Sequence, residues 1–435
     1  MRLYDGEAIG RSGRGLPRPS RLIAVGTAIV MVVSLAACTQ IREMVSNWEM
    51  LDEGTAKLND DVVMAMYLSP QTFEWGAPGY VLLIDKGGQV SAIRTSGMDV
   101  ADMVWDENGL FFSDTERDYR LDKSGLTTWD SPKTNLQIAM YSQPNGDSYV
   151  GVYNLGFGGT DSPFSYIEQV VHTSNDGAVR YDAPGYSTLT AQCGDEVFSV
   201  HEIGEPYLER AQVMGAKPRG APPPYWPDML SKIYPSPQTW PDAIRATDSV
   251  GMIAYGYAFR ATCRGTRIIS VNGGGVYHSP HVVVWPTVGG SPEFQLIRGP
   301  QGEVLKLEDD VAMAATSADW SRIDGELIWF GGDGIVRATD VITGFTVELW
   351  DSGTDMRRLP FNKVAFQDSD VYVLSTVGEN SSTPFVKLRV HDLESGTTRE
   401  ILTMKLDVGK VGSTLVARDM EIRPGLSQWL ADQGS

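Results

Sequence analysis

The sequence predicts an all-β protein: a β-propeller of seven blades, with six or eight as alternatives, after a short N-terminal helical tether. Two observations carry this expectation. From about residue 61, short apolar strands alternate with turn pairs such as Gly87-Gly88, Asn108-Gly109, Asn145-Gly146, Asp324-Gly325 and Asp333-Gly334. These residue types accept the positive backbone angles of tight reversals. A strongly apolar strand also recurs seven times, at 80–84, 110–112, 148–153, 197–200, 267–271, 327–330 and 371–374. A β-rich part of roughly 350 residues built from a recurring strand triplet favours one closed ring over a pair of sandwiches.

The chain has 435 residues and a formal charge of −19. Residues 1–37 read as an export signal, because Arg11, Arg14, Arg18 and Arg21 run into an apolar segment, 22–37, that ends in small residues. That segment is shorter than the roughly 20 residues a helix needs to span a bilayer. The stretch Leu35-Ala36-Ala37-Cys38 resembles the lipobox of bacterial lipoproteins. The resemblance implies cleavage before Cys38, a diacylglycerol thioether on its sulfur, and a membrane partner reached through that lipid on the extracytoplasmic face of the cell envelope. More than one acyl chain gives stable retention, since a single chain binds only marginally.

Beyond Cys38, the spacing of Ile41, Met44, Val45, Trp48 and Leu51 predicts an amphipathic helix within a tether over 38–60. The propeller is expected over 61–424 and a C-terminal tail over 425–435. A strand near 62–67 is expected to complete the last blade after 414–422. The clearest repeat runs through 325–330, 335–340 and 345–350, and again through 370–374, 386–392 and 397–402. Each copy carries an aspartate before a Thr-Gly or Ser-Gly turn, in Asp340-Val-Ile-Thr-Gly344 and Asp392-Leu-Glu-Ser-Gly396. Over these residues the chain resembles quinoprotein-like and WD40-like propellers, whose blades turn on an Asp-x-x-Thr/Ser-Gly element. The resemblance implies fold and not chemistry; no quinone or other cofactor is expected.

Losing residues 1–37 would remove five arginines and two acids, taking the charge to −22. Nucleic acid is therefore excluded as an expected partner, since both surfaces would repel. Once Cys38 carries lipid, Cys193 and Cys263 remain, and an oxidising exterior permits them to pair; a staple and two buried thiols are both open. The segment 215–241 breaks the strand pattern with Pro222-Pro-Pro224 and the aromatics Tyr225, Trp226, Tyr234 and Trp240. These could stack on a sugar or a partner, or could cover apolar surface of their own blade. His278 and His281 are the paired histidines, yet three residues apart they do not share a strand face, and no metal is expected. His172, His201 and His391 read as ordinary residues, and Glu308-Asp309-Asp310 and Asp368-Ser-Asp370 as solvated turns rather than calcium ligands.

No nucleophile elbow, phosphate loop, dinucleotide motif or zinc-protease helix is present in the sequence. The leading expectation is a noncatalytic binding or scaffolding lipoprotein that presents a loop-rich propeller face to an envelope protein or glycan. Two alternatives stand beside it. One is a carbohydrate-active hydrolase or lyase with carboxylates in the central channel; the other is an accessory factor in secretion or envelope assembly.

Overall fold

The computed structural model describes residues 48–71, 76–157, 166–184, 187–202, 228–235, 245–247, 259–272, 280–289, 292–305, 313–317, 320–356, 360–377, 385–406, 408 and 415–434. Cys38, Tyr225, Trp226, Trp240, His278 and Glu308-Asp309-Asp310 lie outside these residues. The ring is built within residues 47–409 and 413–435.

Alternating apolar residues and tight turns give seven antiparallel sheets, each ordered from the centre of a ring outward. Blade 2 comprises Val104–Asp106, Gly109–Ser113, Arg117–Leu121 and Leu126–Asp130. Blade 3 comprises Gln137–Ser142, Ser148–Phe157, Tyr166–Ser174 and Gly177–Pro184. Blade 4 runs through Ser187–Cys193, Glu196–Glu202, Asp228–Tyr234 and Arg245–Thr247, and Phe259–Arg260 pairs parallel to its first strand on the inner side. Blade 5 holds Thr262–Arg264, Arg267–Asn272, His281–Pro286 and Glu293–Leu296, and blade 6 Met313–Thr316, Glu326–Gly331, Ile335–Asp340 and Thr346–Asp351. Blade 7 holds Lys363–Gln367, Asp370–Val377, Phe385–Asp392 and Thr397–Lys405.

Blade 1 closes the ring. Its innermost strand, Leu415–Ile422, comes from the end of the chain and pairs antiparallel with Val62–Pro70, which is followed outward by Pro78–Asp85 and Val90–Ser96. Every residue of Val62–Pro70 is buried, because hydrogen-bonded strands flank it and neighbouring blades cover both of its faces.

The aspartate turns join the two outer strands of their blades. Asp340 accepts from the amides of Ile342 (2.9 Å) and Thr343 (2.8 Å), and Gly344 N–H returns to the Asp340 carbonyl at 2.8 Å. Gly344 sits at φ 73°, and a Cβ there would collide with the Leu296 carbonyl of blade 5, so both backbone angle and contact demand glycine. Asp392 repeats the arrangement with Glu394 and Ser395. Trp350 of blade 6 stacks on His391 of blade 7 at 4.3 Å, which ties the two repeats together.

The helical tether is corrected over its described part. Glu49–Leu51 is a strand, parallel to Ser91, Ala92 and Ile93 on the outer edge of blade 1. Trp48 is buried and meets Tyr80 edge-on at 5.5 Å. An open sheet edge offers a row of unpaired backbone groups, and pairing with it outweighs the marginal stability of a short helix. Within the C-terminal tail, Leu426–Gly434 is a helix, with Leu426 fully buried and the Ser427 hydroxyl 2.8 Å from that of Tyr372.

Cys193 and Cys263 form a disulfide between blades 4 and 5, with Cα atoms 5.3 Å apart and a sequence separation of 70. Closing a loop of that length in the unfolded chain is worth about 4 kcal/mol by the chain-entropy argument. The double variant Cys193→Ala/Cys263→Ala is expected to lose about 2–4 kcal/mol in urea unfolding. An unchanged urea midpoint would show that the bond constrains nothing.

Blades 3 and 4 meet over a fully buried carboxyl. Glu168 accepts from the Ser187 amide and, at 2.5 Å, from its hydroxyl. Burial pushes Glu168 up to about 8, against those two hydrogen bonds. The folded chain holds this proton more tightly than the unfolded chain does. The stability linked to it is complete below the ordinary carboxyl range and is lost as pH rises toward about 8. Unfolding free energy is expected to fall over that interval and then level, and Glu168→Gln should flatten this part of the profile in urea titrations at stepped pH.

Candidate functional site

The centre of the ring holds a cavity of about 530 Å³. Its wall is assembled from the residues leading into blade 2, the starts of the inner strands of blades 3 and 7, the extra strand of blade 4, the end of the inner strand of blade 6 and the closing strand of blade 1. Ring closure therefore also builds the pocket. In the closing strand, Met420 and Ile422 are buried among the blades, while Asp419 and Glu421 keep partial exposure at the cavity.

Arg260 is the hub of the polar wall. Its Nε donates to Asp102 Oδ2 at 2.6 Å, its Nη2 donates to the Met103 carbonyl at 2.9 Å, and its Nη1 lies 4.0 Å from Glu421 Oε1. The guanidinium sits over the Tyr141 ring at 5.7 Å. Asp102 Oδ2 also accepts from Met140 N–H at 2.8 Å, and Asp419 Oδ2 accepts from Met103 N–H at 2.7 Å. Lys363 Nζ donates to the Arg418 carbonyl at 2.8 Å.

Burial pushes the Asp102 carboxyl up, with the charge of Asp419 adding to it and Arg260 opposing it. Glu421 is pushed well above the carboxylate range by burial and then by Asp419. Burial lowers Lys363, against the pull of Asp419. Burial works against the Arg260 charge, but Asp102, Asp419 and Glu421 outweigh it and keep the guanidinium protonated. The wall can thus bind charged or hydrogen-bonding groups through either sign. Among the described residues, no group of three or more His, Cys, Asp or Glu side chains is arranged to hold a metal.

The described residues among those singled out from sequence lie elsewhere. Tyr234 ends a strand of blade 4 and packs at 5.2 Å against His172 of blade 3, so its ring is engaged between blades rather than offered for stacking. His281 begins the third strand of blade 5 and pairs with Asn272 and Leu296 in the ladder. His201 is buried and weakly placed against Ser231, and burial lowers it to about 4. Asp368 occupies a turn of blade 7 at φ 48°, while Asp370 accepts from the Tyr372 hydroxyl at 3.3 Å. Sequence reasoning missed Asp102, Gln137, Arg260, Lys363, Asp419 and Glu421. One signal was available: Arg418, Asp419 and Glu421 interrupt a strand that otherwise reads as buried and central.

Residues 57–214 match the family model described as YycP, beta-propeller domain. The match runs from the start of blade 1 into blade 4. No curated protein matches the chain. Among solved structures, apo AztD from Citrobacter koseri is similar at 13% identity, covering 83% of this chain and 99% of its own, with a TM-score of 0.37. The Pyrococcus horikoshii acylaminoacyl peptidase is similar at 11% identity, covering 80% of this chain and 52% of its own, with a TM-score of 0.43.

Proposed function

We propose that this protein is a noncatalytic binding propeller, held at a membrane by lipid on Cys38, that receives a group of an envelope protein or glycan in its central cavity. The observation that carries the reading is the wall around Arg260. Charged side chains from several blades converge on one cavity, where binding groups of both signs are held by backbone and ion-pair contacts. A cleft of a few hundred Å³ with a small set of placed polar groups is the usual form of a recognition site.

One observation favours a second reading. Asp102 and Glu421 are carboxyl groups at one cavity, and burial raises Glu421 toward the protonated form needed by the acid of a carbohydrate-cleaving pair, whose other member must be ionised. Release of reducing sugar from an envelope glycan, abolished by Asp102→Asn and by Glu421→Gln, would support that reading over the first.

The binding reading is tested by placing a photo-crosslinking residue in the full chain at Ala365, on the cavity wall, or at Val179, on the outer strand of blade 3. A discrete adduct from position 365 and none from 179 is the expected result. Equal adducts from both, or none, would overturn it. The anchor is tested separately by Cys38→Ala, which should move the chain from the detergent phase to the aqueous phase.

A further inference from the structure

Three features of the central cavity point to one kind of ligand. The first is an excess of carboxyl groups over the cations that face them. Arg418 lines the cavity, but its Nη2 donates to the Pro70 carbonyl at 2.6 Å and lies 3.5 Å from Asp99. That leaves Asp102, Asp419 and Glu421 facing Arg260 and Lys363. Asp102 has Arg260, and Asp419 has the Met103 amide. Glu421 has only the guanidinium at 4.0 Å and makes no hydrogen bond among the described residues.

The second feature is an orphan donor. Gln137 is fully buried at the cavity wall, where its Oε1 accepts from Asp102 N–H at 3.0 Å and its Nε2 has no partner among the described residues. A buried amide N–H without an acceptor is rare and marks a place for a ligand oxygen or an ordered water. The third is the rest of the lining, where the aliphatic side chains Ile138 and Val364 stand beside Phe366. An apolar wall of this kind can take an alkyl stem whose charged head reaches a polar group.

Resting on the binding reading above, we propose that the cavity takes a lysine side chain of a partner polypeptide, its ammonium at Glu421 and a flanking peptide carbonyl at Gln137 Nε2. The ammonium gives the third carboxyl a cation of its own. The stem passes the aliphatic wall, and the carbonyl satisfies the orphan amide. Glu421, pushed up by burial and by Asp419, regains its charge against the ligand.

The test is calorimetric titration of the full chain in detergent with the peptide acetyl-Gly-Lys-Gly-amide. The controls are the same peptide with norleucine for lysine and the free diamine cadaverine. The lysine peptide should bind at least about tenfold more tightly than the norleucine peptide, the ratio that one moderate charge interaction gives. Glu421→Gln should remove that preference, and Gln137→Leu should bring the lysine peptide down to the cadaverine affinity. Melting curves identify any variant that fails to fold. If Glu421→Gln misfolds, saturation of the parent by the lysine peptide and not by norleucine carries the test. Equal binding of lysine and norleucine peptides, or no binding, overturns the proposal. Cadaverine binding as tightly as the lysine peptide overturns the peptide assignment. If crosslinking from Ala365 succeeds while these titrations fail, the binding reading stands and only the lysine assignment falls.

Discussion

A chain ending before residue 415 is expected to lose cooperative folding. Leu415–Ile422 is the innermost strand of blade 1, and the helix Leu426–Gly434 follows it, with Ser427 on Tyr372 of blade 7. Deleting both withdraws Leu415, Val416, Met420, Ile422 and Leu426 from burial. At roughly 1.5–3 kcal/mol for each large apolar side chain, the loss approaches about 10 kcal/mol, comparable to the whole stability of a typical domain. Removal also uncovers the backbone edge of Val62–Pro70, a flat apolar strand prone to pairing with other chains. Circular dichroism and size-exclusion chromatography should report a broad, non-cooperative melt and soluble aggregate. A monodisperse truncated chain with a sharp melt would contradict closure through this strand.

The second large effect is expected at Lys133. Its ammonium and the carboxylate of Asp118 are both fully buried and 3.0 Å apart. Lys133 also donates to the carbonyls of Asp114 (3.2 Å), Arg117 (3.1 Å) and Ser131 (2.6 Å). Asp118 accepts from the Ser113 hydroxyl at 2.6 Å and the Thr173 hydroxyl at 2.8 Å. Lys133→Met would strand the Asp118 charge and withdraw a donor from the carbonyls of Asp114 and Ser131, a loss of about 3–5 kcal/mol. The double variant Lys133→Met/Asp118→Asn removes the stranded charge and should recover part of that loss. Urea unfolding of the set provides the check, and equal destabilisation of single and double variants would show that the ion pair is not the source.

The blades were legible because their chemistry is local. Asp340-Val-Ile-Thr-Gly344 and Asp392-Leu-Glu-Ser-Gly396 contain the acceptor, the donors and the positive-φ glycine of each turn within five residues. The same economy marks Asp85 and Asp122, which cap the corresponding turns of blades 1 and 2. Residues 48–51 were misread because a helical stripe and an edge strand can share Trp48 and Leu51. The sheet edge that decides between them lies at residues 91–93.

The cavity was illegible for a related reason. Asp102, Gln137, Arg260, Lys363 and Glu421 span most of the chain and meet only after the ring closes. Arg260 lies in a two-residue strand with no periodicity to mark it. The aromatic segment attracted attention because its residues are close in sequence, yet its one described member, Tyr234, packs against His172. Proximity in sequence makes one cluster visible, and ring closure assembles another.

The open, charged channel is tested most directly by thiol labelling of Ala365→Cys in the folded protein, with Val179→Cys as the exposed reference. Mass spectrometry would identify the modified site. An accessible cavity predicts that position 365 reacts in the native chain at a rate on the scale of position 179, and that the lysine peptide slows it selectively. Reaction at 365 only after unfolding in urea would mean that the centre of the ring is a closed core, contradicting a binding site there.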